Sequence, residues 1–195
     1  MAWGGPYTAV GGTFVVPSLY SSDQAGTDMS EWVGVDGLYD TSLIQAGIQE
    51  CPDPSDTSRF YIQPWWEMLP ATQTNVAMTV APGNSMTVDI GQITGTNWGN
   101  TVTDNSTGRT FTIDQTYSGP LESAEWIVEA PQAGGSQTAL AAYSATGFAS
   151  IVATGAQTSL DEIVMDQNGV QVSTPLALVS GPFNVAYGDV PPAAP

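Results

Sequence analysis

Leu121–Pro131 reads LESAEWIVEAP. From Ala124 to Glu129 the side chains alternate with a period of two, the pattern of a β-strand whose successive residues point to opposite faces. Trp126 and Val128 then form an apolar face, while Glu125, Ile127 and Glu129 share the other. Carboxylates on a buried-looking strand need a reason, because such groups cost free energy unless they are bonded. Cations to bond them are scarce: the chain has 19 acidic residues against 2 basic ones, Arg59 and Arg109, and no histidine.

Outward from this segment, Gly (21) and Pro (14) cut the 195-residue chain into short pieces rich in Thr, Val, Ile and aromatic residues. Strands are expected at Thr13–Val16, Leu43–Ile48, Asn75–Val80, Ser85–Ile90, Thr110–Gln115, Ala124–Glu129, Glu162–Met165 and Phe183–Tyr187. Thr138–Ala145 is read as a further strand despite its alanines. Turn chemistry at Ala81–Asn84, Asp104–Gly108 and Asp166–Gly169 suits hairpins that join the segments on either side. So many short strands need a second sheet to cover their apolar faces, which predicts an all-β fold, a sandwich or jelly roll. One domain suffices for this length. It is expected over residues 1–190, with a loose tail at 191–195.

The formal charge of -17 at pH 7 makes nucleic acid and anionic membranes poor partners. With so few cations the fold has few salt bridges to lose in acid, while near neutrality its carboxylates repel one another. The chain is therefore expected to be comfortable at low pH and stressed toward neutrality. No segment has the apolar length of a membrane span, and Met1–Ala2–Trp3–Gly4 has neither the basic nor the apolar region of a secretion signal. Cys51 is the only cysteine, so neither an internal disulfide nor a cysteine-based zinc site can form.

The missing histidine and lysine remove Ser-His-Asp and Cys-His catalysis, histidine-ligated zinc and lysine Schiff bases. Carboxylates, amides, hydroxyls and water remain. Asp53 and Asp56 lie in a Pro-rich loop without calcium-loop spacing, and no metal or other cofactor is expected. A carboxylate suits acid surroundings, because near its pKa of about 4 it is still partly ionised and can act as a base. Two more segments put a polar group on one face of an otherwise apolar strand. In LIQAGI (43–48), Leu43, Gln45 and Gly47 oppose Ile44, Ala46 and Ile48; in PWWEMLP (64–70), Trp65 and Glu67 oppose Trp66 and Met68. Periodicity alone leaves open whether these faces meet solvent or line a site.

Taken together, Trp3–Gly4–Gly5, EWVGVDG (31–37), LIQAG (43–47), WWEMLP (65–70) and AEWIVE (124–129) follow the order and approximate spacing of the glutamic peptidases, or eqolisins. The sequence resembles that family from Trp3 to about Tyr187. The resemblance implies a single-domain sandwich of two bent antiparallel sheets with a substrate cleft on the concave side. It also implies hydrolysis of peptide bonds in acid by a Gln/Glu pair, with neither metal nor covalent intermediate. Carried over by motif, the pair is Gln45 and Glu129, with Glu129 as general base and then acid, and Gln45 orienting water and stabilising the oxyanion. Glu67 and Asp36 match acids near that pair. Trp3, Trp32 and Trp65 match aromatic positions that pack the cleft or bind substrate, and Glu125 is assigned to structure or solvent.

The resemblance further implies a secreted, pepstatin-insensitive endopeptidase acting on proteins or peptides, and a monomer is expected. The sequence departs from better-known members in lacking their disulfides and in carrying Gln63–Pro64 ahead of the paired tryptophans. Two other functions stay open: an acidic jelly-roll glycoside hydrolase using Glu67 and Glu129, and a non-catalytic, lectin-like binding sandwich.

Overall fold

The structure, a computed structural model, describes residues 1–20, 26–53, 56–155, 160–176 and 181–190. The tail at 191–195 lies outside the described residues. In chain order the strands begin with β1 (Ala2–Trp3), β2 (Tyr7–Val15), β3 (Thr27–Asp36), β4 (Leu43–Asp53), β5 (Asp56–Met68) and β6 (Thr74–Asn75). The middle of the chain forms β7 (Ser85–Thr94), β8 (Asn97–Asp104), β9 (Arg109–Thr116), β10 (Ser123–Glu129), β11 (Gln132–Ala133), β12 (Ser136–Gln137) and β13 (Ala139–Leu140). Last come β14 (Thr146–Gly155), β15 (Met165–Gln167), β16 (Val170–Pro175) and β17 (Phe183–Tyr187).

One sheet runs β1-β10-β3-β4-β5-β6, and the other runs β15-β16-β17-β14-β2-β7-β8-β9. β11 and β12 form a small hairpin of their own. Neighbours pair antiparallel except β13, which adds to β3 in parallel at Thr27 and Asp28.

The core lies where the sheets face each other. Trp126, Val128, Val33, Val35, Ile44, Ala46 and Ile48 come from the first sheet, and Val10, Phe14, Met86, Val88 and Ile90 from the second. These are the apolar faces read from the alternation in AEWIVE and LIQAGI. The Trp126 Nε1–H donates to the Gly11 carbonyl across the sandwich at 2.9 Å, which satisfies the one polar atom of that ring. Close approach at this point needs glycine, since a Cβ on Gly12 would stand 2.9 Å from Trp126 Cδ1.

Two of the expected hairpins form. At 104–108, Asp104 accepts from the Ser106 amide (2.9 Å) and the Thr107 hydroxyl (2.8 Å) and turns β8 into β9. Between β15 and β16, Asn168 and Gly169 both take positive φ (54° and 77°), as a two-residue turn matched to strand twist requires.

The third expectation does not hold. Of the expected strand Asn75–Val80 only Asn75 is strand, as the end of β6, which pairs with β5 in the first sheet while β7 belongs to the second. The turn at 81–84 therefore carries the chain from one sheet to the other. Val76, Met78 and Val80 are buried and alternate with exposed neighbours, so the period of two reflects packing of every second residue into the core without a ladder. Similarly, 138–145 contributes only β13 and a single bridge from Tyr143 to Leu19, and 162–165 becomes strand only at Met165.

Candidate active site

The strand register lays out the outer face of the first sheet in rows. Glu125, Gly34, Gln45 and Glu67 stand side by side across β10, β3, β4 and β5. Ile127, Trp32, Gly47 and Trp65 form the next row, and Glu129, Ser30, Gln49 and Gln63 the row after alternate residues again. Trp32, Leu43 and Trp65, with Ile127 against them, make a second apolar cluster separate from the core, and it floors this face. Glycine is what makes room for it. A Cβ on Gly34 would come within 3.0 Å of Trp32 Cζ3 and 3.1 Å of Leu43 Cδ1, and one on Gly47 would lie 2.1 Å from the Glu31 carbonyl oxygen.

Over that floor Trp32, Gln45, Glu125, Glu129 and Gln137 line one cavity of about 430 Å³. Gln45 is 6% exposed, and its Nε2 donates to Glu67 Oε2 at 2.6 Å. Its Oε1 is buried with no hydrogen-bond partner among the described residues. A primary amide has two N–H donors and an acceptor oxygen; here one donor is held by Glu67, and the buried oxygen has no partner among the described residues.

Glu129 is half-buried, and its Oε1 accepts from the Trp32 indole N–H at 2.9 Å. Burial raises its pKa above the ordinary value, the Trp32 hydrogen bond opposes this, and the charge of Glu67 adds to it. Glu125 is raised to about 7, chiefly by burial, against the hydrogen bond from Ser123 and with added repulsion from Glu129 and Asp36. Neither arginine lines the cavity. The Met1 ammonium partly offsets the rise at Glu125. Carboxyls crowded in a low-dielectric trough nonetheless hold protons more tightly than in water, which suits them to trade protons with a bound reactant.

The site residues expected from sequence are placed as follows. Gln45, Glu129, Glu67 and Trp32 come together: Glu67 orients Gln45, and Trp32 both floors the cleft and holds Glu129. Trp65 is 3% exposed in the floor, with its Nε1 buried and unpartnered among the described residues. Trp3 is not in the cavity lining; it is 36% exposed on β1, edge-on to Tyr39 at 4.7 Å between ring centroids. Asp36 is apart from the cavity. It is fully buried at the end of β3 and accepts from the Tyr117 hydroxyl (2.6 Å), the Leu121 amide (3.0 Å) and the Glu122 amide (2.7 Å). It therefore braces the loop that leads into β10.

Sequence reasoning left Glu125 to structure or solvent. It is 5% exposed and lines the cleft, so it does not face solvent. The signal was its register with Gln45 across the side-chain-free Gly34, which becomes visible only once the strand pairing is known.

The model of the Peptidase A4 family matches residues 2–185. The chain belongs to that family. This Peptidase A4 chain is 28% identical over 192 residues to aspergillopepsin-2 of Aspergillus niger, across 84% of the chain and 66% of the relative. It thus spans a little under two-thirds of that relative's length.

Among solved structures it is similar to scytalido-glutamic peptidase bound to a peptide based transition state analog, with a TM-score of 0.78 at 20% identity, over 95% of this chain and 94% of that one. It is also similar to aspergilloglutamic peptidase from Aspergillus niger, with a TM-score of 0.69 at 24% identity, over 83% and 99%. At these identities the likeness establishes the shared sandwich fold.

Proposed function

We propose that the chain is a glutamic endopeptidase that hydrolyses peptide bonds in acid with Gln45 and Glu129. The observation that carries this reading is that the two side chains line one cavity, Gln45 with a buried oxygen that has no hydrogen-bond partner among the described residues, and Glu129 in a lining that contains neither arginine. Glu129, ionised, takes a proton from a water oriented by Gln45 Oε1, and the water oxygen attacks the scissile carbonyl. The second Gln45 N–H donates to the oxyanion as it forms, a contribution of about 3 kcal/mol where such donors have been removed. Glu129 then passes its proton to the leaving amine as the C–N bond breaks.

The raised pKa of Glu129 lets it work as base and then as acid in mildly acid surroundings. Glu67 is engaged by the Gln45 amide, which favours this reading over a glycoside hydrolase in which Glu67 would be a free acid. That scytalido-glutamic peptidase was solved with a peptide based analog supports peptides as the substrate class. We further place the working protein outside the cell, as a monomer, with activity insensitive to pepstatin.

The test is digestion of a denatured protein across the acid range with pepstatin present. Cleavage is expected to be greatest in acid and to vanish in Glu129→Gln, which keeps the shape of the side chain but cannot accept the proton. Undiminished cleavage by Glu129→Gln would overturn the assignment.

A further inference from the structure

Beside the cleft lies a second cavity, of about 210 Å³. Ile127, Glu129, Gln137 and Ile163 line both cavities and form their common wall. The fold explains why space opens here. β1 pairs with β10 only at Ser123 and Ala124, so from Glu125 onward no strand of the described residues covers that edge. The chain at 160–165 passes alongside instead, tied at one end by the Ala2–Leu160 bridge and at the other by the Ala130 amide, which donates to Met165 Sδ at 3.3 Å.

Between these ties the cavity reaches in between the sheets. Trp126 and Val128 wall it from one side, and Phe183 and Val185 from the other. Its mouth carries Ile163 and Val164, each 46% exposed. Two adjacent branched apolar residues held at the surface, beside an apolar interior and one wall away from the candidate base, are placed to receive something that leaves water.

We infer that this side cavity is a specificity pocket that takes the large apolar side chain, leucine or phenylalanine in kind, of a substrate residue next to the scissile bond. The inference rests on the peptidase reading. Adjacency follows from Glu129, which lines both cavities. A charged side chain of either sign would have to lose its hydration against Trp126, Val128 and Phe183, and the charged groups already there, Met1 with its terminal ammonium beside Glu129, Asp161 and Glu162, are of both signs. Burying a large apolar side chain is favourable by an amount that discriminates on the order of 10- to 200-fold between substrates that differ in it.

Val164 lines the side cavity but not the cleft, so Val164→Trp blocks one without touching the other. Fluorogenic peptides differing only at the residues flanking the cleaved bond are to be assayed at about pH 4. The wild-type chain should prefer Leu or Phe over Ala at one of those positions by at least about 10-fold in kcat/KM. Val164→Trp should lose that preference through a fall in kcat/KM on the Leu and Phe peptides that exceeds any change on the Ala peptide, and its continued cleavage of the Ala peptide shows that it is folded. Cleavage by both proteins with the same preference, or equal losses on both peptides, would overturn the pocket and leave the peptidase reading standing. No cleavage of any peptide by the wild-type chain would overturn both.

Discussion

Gln45 is a neutral side chain whose proposed role depends on its being held at one end only. Glu67 fixes one N–H at 2.6 Å, and the carbonyl oxygen is left unpartnered among the described residues. Gln45→Ala is expected to lower kcat by about 10²- to 10³-fold, with an unchanged circular dichroism spectrum. Glu67→Ala leaves the amide in place but unaimed. Its kcat should fall by roughly 10-fold, less than for Gln45→Ala, with little change in KM.

Glu125, raised to about 7, is protonated at about pH 4, so Glu125→Gln is expected to keep kcat there within roughly a factor of two. A much larger loss in that assay would mean that the ionised form is needed. Of these three residues, Gln45 and Glu67 stood out in the sequence as polar side chains on apolar strands. Glu125 was legible as a cleft residue only after β10, β3 and β4 were set in register.

At the scale of elements, the cleft depends on how β10 is delivered to β3. Asp36 has a positive φ of 71° at the end of β3, a conformation that is costly for a residue other than glycine unless its surroundings hold it. Its carboxylate holds Tyr117, Leu121 and Glu122, the loop that enters β10. Asp36→Ala should orphan these buried donors and destabilise the fold by about 2–4 kcal/mol, read as a shift in the urea midpoint, with activity lost through misplacement of Glu129. The family resemblance put Asp36 near the cleft, and nothing in the sequence around it shows which distant loop its oxygens meet.

Strand β5 makes a related point. Pro64 has no N–H for a ladder and is tolerated because its neighbour β6 is only two residues long. The Val76 amide donates to the Pro64 carbonyl at 2.8 Å, and Gln63 Nε2 donates to the Val76 carbonyl, also at 2.8 Å. The segment after β6 is thereby stitched to the sheet without continuing it. Its alternation is that of a strand, and only the absence of a ladder partner distinguishes the two.

Across the whole molecule, the charge balance acts through a pair of acids the composition could not locate. Glu31 and Glu50 are both fully buried on the core face of β3 and β4, diagonal neighbours in the ladder. Glu31 accepts from the Thr146 hydroxyl at 2.8 Å, and both oxygens of Glu50 lack a partner among the described residues. Burial raises Glu50 from 4.5 to about 8. Burial raises Glu31 well above its ordinary value too, against the Thr146 hydrogen bond and with the charge of Glu50 adding to it.

An acid whose folded pKa is raised binds its proton more tightly when folded. Its contribution is therefore fully present below the unfolded value and is lost as the pH rises toward the folded one. Melting temperature is expected to fall between about pH 4.5 and pH 8. Glu50→Gln should recover on the order of 2 kcal/mol near neutrality and nothing at about pH 4. A melting temperature that is flat or rising over that window would contradict the account. The stress toward neutrality expected from composition thus has a second source, desolvation inside the sandwich, in addition to repulsion over the surface.

Side-chain period, turn chemistry and the lack of histidine and lysine are properties of the chain alone, and they determined the all-β class, two of the hairpins, the core faces of β4 and β10, and the range of usable chemistry. Which strands become neighbours was decided by tertiary structure. That choice brought Glu125 level with Gln45, turned Asp36 into a brace, carried 76–80 between sheets and left an uncovered edge beside Glu129. The reason is physical: the direction of a side chain relative to its own strand is set by local backbone geometry, whereas register and sheet membership depend on contacts between residues far apart in sequence, which local alternation does not encode.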